Sequence, residues 1–360
     1  MSAAFDTINR EILLSILAEI VEEDELRLIQ FLLSNTQINT RINKADTRAP
    51  FTSNVGTPQG DGLSPVLFTV YLEHALKNAR DIIGQPKTRL EQLIPREIAY
   101  ADDVDFVGSD YMDIEAIQKE LDNFNLKVNV GKTELTSLSK VEDEWKTTRK
   151  VGSLIGDVED IERRKQLSNV ALNKLKSVWI STDKIKRKTK IKLYKALVKS
   201  ILTYNCRTWA LTQAEIKKLN AFHRKQLHRI LNIRYPTIIS NNSLYKICEE
   251  KPISVHIVQS RWRLFGHILR RDKDIPANKA MGAYFTPLTK RFQGRPKTTL
   301  PVILHEELSQ ALPNMNFKTA HDLEKLKQLA QDREQWKAFT EKITAFVEAA
   351  DSDGTAASND

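Results

Sequence analysis

The stretch from Ile98 to Gly108 constrains the fold of this chain more than any other. An apolar run enters it, the adjacent carboxylates Asp102 and Asp103 follow, and a second run rich in Val and Phe leaves. Flanks of this kind are typical of β-strands, so the pattern predicts a tight β-hairpin with the two aspartates at its tip. Two carboxylates held so close repel each other. Mg²⁺ relieves the repulsion, because it prefers one or two carboxylates together with substrate phosphates. A polar turn without a metal is the alternative, since Asp is common in turns.

A second stretch, residues 56–65, lies about forty residues earlier and reads Gly-Thr-Pro-Gln-Gly-Asp-Gly-Leu-Ser-Pro. Its three glycines and two prolines predict a shaped loop whose backbone can approach a ligand closely. Ser64 and Pro65 then open an apolar helix, since proline is tolerated in the first turn, where its missing N–H costs nothing.

These two motifs, in this order and spacing, resemble the polymerase core of reverse transcriptases, in particular those of non-LTR retrotransposons. The resemblance extends over roughly residues 4–300. It implies an RNA-directed DNA polymerase that adds deoxynucleotides to a primer 3′-hydroxyl. Its partners would be an RNA template, a DNA primer or RNA–DNA hybrid, and deoxynucleoside triphosphates. It also implies two Mg²⁺ ions about 3.5–4 Å apart, with Asp102 and Asp103 as the catalytic metal ligands.

The resemblance implies roles for further residues. Gln59, Gly60 and Tyr100 would shape the nucleotide and template pocket. Phe5 would lie under the sugar of the incoming nucleotide and exclude a 2′-hydroxyl, and Lys132 would assist the leaving pyrophosphate. Two simpler interpretations stay open, because Phe5 could be a core aromatic and Lys132 an exposed turn lysine. The resemblance also implies a short hairpin at Gly152 and Ser153, which would grip the end of the primer.

The opening residues match only part of the family's first catalytic motif. Ala4-Phe5-Asp6 resembles a triplet that follows a catalytic aspartate by four residues, and this aspartate would fall before Met1. Asp6 is expected to cap a helix and is therefore a poor substitute. Two interpretations follow. The chain is the palm and thumb portion of a retroelement polymerase and inactive as it stands, or it is a remnant that binds nucleic acid without catalysis.

Charge divides the chain into three parts. Residues 1–159 carry 17 Lys/Arg against 27 Asp/Glu (−10), residues 160–300 carry 32 against 8 (+24), and residues 301–360 carry 6 against 11 (−5). A local excess of this size indicates a nucleic-acid surface, although solvated basic helix faces are the alternative. We expect four exposed cations to contact the nucleic-acid backbone through phosphates, which position a duplex without reading its sequence: Lys186, Arg187, Lys188 and Lys190.

The order of elements predicts an α+β fold. A partial palm, an antiparallel sheet with helices, would cover residues 1–158, with Thr36–Asn43 and Phe51–Val55 as paired strands. The helical remainder divides into a basic thumb, a basic post-thumb region, C-terminal helices and a disordered tail, with the boundaries 159–235, 236–300, 301–350 and 351–360. Within it, residues 319–349 are predicted to form one helix.

Several side chains of the helical part carry separate predictions. Trp179, Trp209 and Trp262 are expected to be core anchors, because buried aromatics dominate core packing. Stacking on bases is the alternative for them and for Tyr235. His223 and His228, which lie on a basic helix, are predicted to be surface residues.

The sequence also bears on the cellular location of the protein. No run of 18 or more apolar residues predicts a membrane span, and the N-terminus lacks the features of a signal peptide. Two cysteines give no disulfide framework. We therefore expect an intracellular protein, in the cytoplasm or the nucleus, without a membrane partner. The oligomeric state, the template and the insertion site do not follow from the sequence.

Overall fold

The structure is a computed structural model. It describes residues 5–34, 36–38, 41–42, 45–46, 51–58, 60–85, 92, 94–108, 114–138, 143–180, 184–285 and 298–353. It divides into two compact units, Met1–Leu135 and Thr136–Asp360. Short antiparallel strands and many helices give the predicted α+β fold. The finer domain boundaries stay predictions. In the described part of the chain, no helix is long and apolar enough to cross a membrane.

The first unit begins with helices α1 (Arg10–Leu17) and α2 (Glu23–Leu33). Asn9 caps α1, because its Oδ1 accepts the N–H of Glu11 at 2.9 Å and that of Ile12 at 3.3 Å. The predicted cap at Asp6 is wrong. Asp6 lies in a turn before the helix begins, whereas Asn9 has the extended backbone that brings an N-cap oxygen onto the free N–H groups.

Four short strands follow among the described residues, and the first pairs with the last as the sequence predicts. β1 (Thr36–Ile38) is antiparallel to β4 (Phe51–Ser53). Between them, β2 (Arg41–Ile42) and β3 (Ala45–Asp46) form a second antiparallel pair. Helix α3 (Ser64–Ile83) comes next and ends at Gly84, whose φ of +72° lies in the left-handed region that glycine adopts at low cost.

The core of the first unit forms on the buried face of α3. Residues such as Phe68 and Tyr71 pack there together with Ile8, Leu13 and helix α4 (Ile114–Asp122). Tyr71 is fully buried, and its hydroxyl donates to the carbonyl oxygen of Phe124 at 2.8 Å while accepting the N–H of Asn9 at 3.4 Å. Both partners are distant along the chain, so this side chain ties the two ends of the unit to α3.

The second unit is mostly helical, apart from a hairpin of β7 (Arg149–Lys150) and β8 (Ser153–Leu154). Single 3₁₀ turns lie at Glu144–Thr147 and Cys206–Thr208, and a π-helical turn at Lys195–Lys199. Its helices are α5 (Asp157–Lys174), α6 (Lys176–Ile180), α7 (Arg187–Tyr194), α8 (Ser200–Leu202), α9 (Gln213–Ile230), α10 (Asn241–Cys248), α11 (Ile253–Leu269), α12 (Pro276–Tyr284), α13 (Leu300–Ala311), α14 (Ala320–Gln331) and α15 (Arg333–Asp353).

The predicted single helix over residues 319–349 is wrong, because Asp332 breaks it into α14 and α15. Its backbone is extended, with φ −86° and ψ 113°. Its carboxylate accepts the N–H groups of Glu334 at 2.9 Å and Gln335 at 3.1 Å, which is the hydrogen bonding of an N-cap. Helix α15 reaches Asp353, so the first three residues of the predicted disordered tail are helical. Residues 354–360 lie outside the described residues.

Tryptophans anchor the core of the second unit, as predicted. Trp179, Trp209 and Trp262 are all buried. Tyr235, in contrast, is 92% exposed. One further aromatic, Trp336 of α15, packs against α11 and donates its Nε1–H to the carbonyl oxygen of Trp262 at 3.1 Å.

Candidate active site

The two adjacent aspartates lie at the tip of a β-hairpin, as the sequence predicts. β5 (Glu97–Tyr100) pairs with β6 (Asp103–Phe106), and Tyr100 lies opposite Asp103. Ala101 and Asp102 are therefore the two turn residues. Ala101 has a φ of +52°, a left-handed conformation that costs energy in a residue with a Cβ. The turn is thus tight and strained at the position directly before the carboxylates.

Alternation along β6 decides where its side chains lie. Val104 and Phe106 pack against the core of the first unit, so Asp103 and Asp105 belong to the opposite face of the strand. Asp103 is exposed and Asp102 is half-buried. The packing of two apolar residues therefore holds the hairpin while its tip presents carboxylates.

The donor set at this tip fits a hard divalent cation. Mg²⁺ takes oxygen ligands and commonly uses one or two protein carboxylates, with the remaining positions filled by water and substrate phosphates. Asp102 and Asp103 supply that number. Among the described residues, no group of three or more His, Cys, Asp and Glu side chains is placed to hold a metal ion.

The glycine-rich loop is bound to the N-terminal segment by backbone hydrogen bonds. Gly56 N–H donates to the carbonyl oxygen of Ile8, and Thr57 N–H donates to that of Phe5, both at 2.9 Å. Gly56 has a φ of +73°, and a Cβ added there would lie 2.8 Å from the Cα of Asp6. Only glycine combines this backbone conformation with this approach, which explains the first residue of the motif.

The side chain of Arg10 also binds the N-terminal segment to the start of the glycine-rich loop. It is buried, and its guanidinium donates to the carbonyl oxygens of Gly56 and Ser53 at 2.8 Å, of Val55 at 3.3 Å, and of Leu33. Burial lowers its pKa. The sequence analysis missed Arg10, because a single arginine at the start of an amphipathic helix carries no signal for burial.

The predicted nucleotide-pocket residues have different surroundings. Phe5 is half-buried and stacks on Phe68 with ring centroids 4.4 Å apart, so it packs as a core aromatic, and its role under a sugar stays a prediction. Tyr100 is 66% exposed. Gly60 is exposed with a φ of +94° and open space around it. Gln59 lies outside the described residues.

Two hydroxyls on either side of this loop are buried without a partner. Thr57 Oγ1 and Ser64 Oγ have no hydrogen bond to any described residue. A buried unsatisfied hydroxyl is costly. A buried hydroxyl without a hydrogen-bond partner thus lies near each end of the glycine-rich loop.

Lys132 and the hairpin tip complete the predicted site of the first unit. Lys132 is exposed and ends the 3₁₀ turn Val130–Lys132. Leu63, at the end of the glycine-rich loop, and Val104 of the hairpin pack against the same core. The nucleotide and template pocket expected at Gln59, Gly60 and Tyr100 stays a prediction.

In the second unit, the predicted hairpin at Gly152 and Ser153 is present. Val151 and Gly152 form its turn, with φ values of +45° and +79°, as two-residue hairpin turns require. The hydroxyl of Tyr204 donates to the carbonyl oxygen of Val151 at 2.9 Å. The primer-gripping role of the hairpin stays a prediction.

Helix α5 holds this hairpin through three charged side chains. Arg163 Nη1 donates to the carbonyl oxygen of Gly152 at 3.1 Å, and Arg164 donates to the same oxygen and to Ser153 Oγ at 3.1 Å. The buried carboxylate of Asp160 accepts the N–H of Leu154 at 3.0 Å. The sequence analysis missed these residues, although Asp160 and Arg164 have the (i, i+4) spacing of a helical pair.

The four predicted backbone-binding cations do not share one environment. Lys186, Arg187 and Lys188 are exposed. Lys190 is 4% exposed, and its ammonium donates to the carbonyl oxygen of Trp179 at 2.7 Å. Its predicted exposure is therefore wrong. Lys190 lies on the face of α7 that packs inward, so its stem is buried and its charge is satisfied by a carbonyl.

His223 is also buried, against the prediction of a surface residue; His228 is half-buried. Tyr194 donates its only hydroxyl proton to Gln226 Oε1 at 2.9 Å, so the bond of 2.8 Å between this hydroxyl and His223 Nδ1 has the imidazole as donor. Burial, followed by the charge of Lys199, lowers the pKa of His223 to about 3. The imidazole is therefore neutral and part of the core.

One family of known proteins matches this chain. The family described as reverse transcriptase (RNA-dependent DNA polymerase) matches residues 1–190, just over half of the 360 residues. A comparison with curated proteins gives no match. The matched residues contain the aspartate hairpin, the glycine-rich loop and the hairpin at Gly152. The chain belongs to the reverse transcriptase family of RNA-dependent DNA polymerases.

Proposed function

We propose that this chain is the polymerase portion of a non-LTR retroelement, with Asp102 and Asp103 as its metal-binding carboxylates. The observation that carries the proposal is the two-residue turn that presents both aspartates at the tip of a hairpin within the residues matched by the family. The resemblance of the two motif sequences supports the non-LTR class.

Asp102 and Asp103 would hold Mg²⁺, which when bound neutralises charge on the phosphates and clamps the attacking and leaving oxygens of an in-line displacement. The other residues position the substrates. Phe5 and Tyr100 supply aromatic surface beside the nucleotide. Gly60 allows close backbone approach, since it has a left-handed φ and no crowding neighbour.

Gln59 completes the nucleotide and template pocket in this proposal, and Lys132 meets the leaving pyrophosphate. An exposed lysine ammonium is a compact positive charge on a flexible stem, so it can follow the negatively charged pyrophosphate as it leaves. In the second unit, Gly152 and Ser153 support the primer end.

Lys186, Arg187 and Lys188 contact phosphates of the template–primer duplex. They are consecutive and exposed at the start of α7, as phosphate contacts require. Lys190 has no such role, because its ammonium is bound inside the unit. We also propose that the protein is intracellular.

A second candidate function is nucleic-acid binding without catalysis. The observation that favours it is the absence, among the described residues, of a third metal-binding side chain beside the aspartate pair. Under this second candidate, the chain would bind a hybrid duplex and not extend it.

Primer extension on an RNA template in Mg²⁺ tests the polymerase proposal. If the polymerase proposal holds, extension depends on the hairpin carboxylates, and Asp102→Asn should abolish it. The second candidate predicts binding of the hybrid duplex without extension. Asp122→Asn, at an exposed position on α4, is the matched control and should leave extension unchanged.

Two results would contradict the polymerase proposal. Binding of the hybrid duplex without any extension would favour the second candidate. Full activity of Asp102→Asn would show that the hairpin does not carry the metal.

A further inference from the structure

A cationic groove lies on the second unit. Most of its lining residues lie outside residues 1–190, which the family matches. Its first part is an open cavity of about 680 Å³ beside the β7–β8 turn, with Tyr204, Arg207, Arg263 and His267 among its lining residues. A second cavity of about 370 Å³ shares Arg263 and His267 and continues to Arg333 and Lys337. We call the two together the cationic groove.

Helix α11 forms the floor of this groove. Gln259, Arg263 and His267 follow each other at intervals of four residues and so lie on one helix face, while the opposite face carries buried residues such as Val258 and Phe265. From Gln259 to Arg270 the helix rises about 16 Å. The cations are therefore arranged in a row and not in a cluster around one point.

The charges of the groove are available to a ligand. Arg207, Arg263, Arg333 and Lys337 are exposed, and none has a carboxylate within 4.0 Å among the described residues. Among the described residues that line either cavity, Glu341 is the one acidic residue. A row of unpaired cations with so little acid attracts an extended polyanion.

Tyr204 adds an aromatic surface to the same groove. Its ring is 46% exposed, and the guanidinium of Arg164 lies 4.4 Å from the ring centroid. Its hydroxyl is held by the carbonyl oxygen of Val151. One face of the ring is thus covered and its orientation is fixed, while the ring lines the cavity.

We propose that the cationic groove binds single-stranded nucleic acid, with phosphates on Arg207, Arg263 and Lys337 and one base stacked on Tyr204. Sites for single strands combine a cationic groove that follows the backbone with aromatic side chains on which bases stack. A duplex fits poorly, because its base faces are already stacked on each other. The site does not depend on the metal-binding carboxylates.

Fluorescence anisotropy with the full chain and a labelled oligouridylate of about 12 nucleotides, within the range of single-strand sites, tests this proposal. Tyr204→Leu should weaken binding by about 5- to 150-fold, the range for the loss of one stacked base. Tyr204→Phe should bind like the wild type, because it keeps the ring and loses only the bond to Val151. A role limited to holding the hairpin would instead weaken both variants.

The salt dependence tests the phosphate contacts separately. Each phosphate contact to a single strand contributes about 0.7 to the slope of log affinity against log salt, so Arg207→Gln with Arg263→Gln should lower the slope by about 1.4. Lys217→Gln with Lys218→Gln removes two exposed charges from α9, outside the groove, and should leave the slope unchanged.

Three results would overturn the proposal: equal losses in Tyr204→Phe and Tyr204→Leu, equal slopes in the two charge variants, or displacement of the oligouridylate by a duplex as effectively as by unlabelled oligouridylate. Asp102→Asn should bind the oligouridylate like the wild type. Loss of primer extension without loss of this binding therefore separates a failure of the polymerase proposal from a failure of this one.

Discussion

Arg10 Nε donates a hydrogen bond of 2.8 Å to the carbonyl oxygen of Gly56, 46 residues further along the chain. This bond joins the start of α1 to the first residue of the glycine-rich loop. The other donors of the same guanidinium bind carbonyls of residues that precede Gly56. One buried side chain thus fixes the course of the backbone into the glycine-rich loop, which we propose lines the nucleotide pocket.

Arg10→Met should destabilise the chain by about 2–4 kcal/mol, because buried carbonyls lose a charged donor. Denaturant unfolding followed by circular dichroism measures the change. Arg27→Met is the control, since Arg27 is 70% exposed and pairs with Glu23 on the surface, where an ion pair contributes about 0–1 kcal/mol. Equal stabilities of the two variants would show that the Arg10 bonds do not stabilise the unit.

Gly56→Ala should destabilise the chain more than Gly60→Ala. Both glycines have a left-handed φ, which costs a residue with a Cβ roughly 1–2 kcal/mol. Only at Gly56 would the new Cβ also meet the backbone of Asp6, at 2.8 Å. Thermal unfolding of the two variants measures the difference, and an equal loss at both positions would contradict the close approach.

Gly266→Ala should destabilise the second unit by about 1–3 kcal/mol, the usual cost of overpacking. A Cβ there would lie 2.1 Å from Nε1 of Trp336, so α11 and α15 would have to separate. Gly282→Ala on α12 is the matched control, because nothing lies within 4 Å of its Cβ position. In a helix this change should stabilise by about 0.5–1 kcal/mol, so the two substitutions should have opposite signs in chemical denaturation.

Acid should destabilise the chain through His223. Its pKa falls from 6.5 to about 3 on folding, so below pH 6.5 the unfolded chain binds a proton that the folded chain does not. The stability is fully present above pH 6.5 and is lost at about 1.4 kcal/mol per pH unit as the pH falls toward 3. Glu250, whose pKa is lowered by Lys199 despite burial, adds a loss of the same sign only below its ordinary value of 4.5.

The variant His223→Gln isolates this effect. Between pH 6.5 and 5, its free energy of unfolding should fall by about 2 kcal/mol less than that of the wild type. Urea unfolding at several pH values gives both curves. Parallel curves would show that the imidazole titrates equally in the folded and unfolded chain.

Lys188 and Lys190 should respond differently to the same substitution. Lys188→Gln should leave stability unchanged and lower the salt slope for hybrid-duplex binding by about 0.9, the value for one phosphate. Lys190→Gln should destabilise the chain, because the carbonyl of Trp179 loses its charged donor, and should leave the slope unchanged. Anisotropy at several salt concentrations, paired with thermal unfolding, separates the two outcomes.

Local sequence determined the elements that depend on near neighbours. Apolar runs on both sides of Asp102 and Asp103 predicted the hairpin, because strand-forming runs and a polar break act within about ten residues. The pairing of β1 with β4 followed from a similar local pattern, whereas the hairpin at Gly152 followed from the resemblance to the family. Cap positions were harder, since Asn9 and Asp332 compete with other polar residues for the same free N–H groups.

Tertiary structure alone decided which charged and polar side chains are buried. Lys190 and His223 lie on helices rich in basic residues, and nothing within one helix turn shows which face packs inward. Burial of Arg10 depends on carbonyls up to 46 residues away, and Gly266 is required only because Trp336 crosses it 70 residues later. Sequence patterns thus indicated the motifs and the family, whereas long-range packing decided which cations support the fold and which stay exposed.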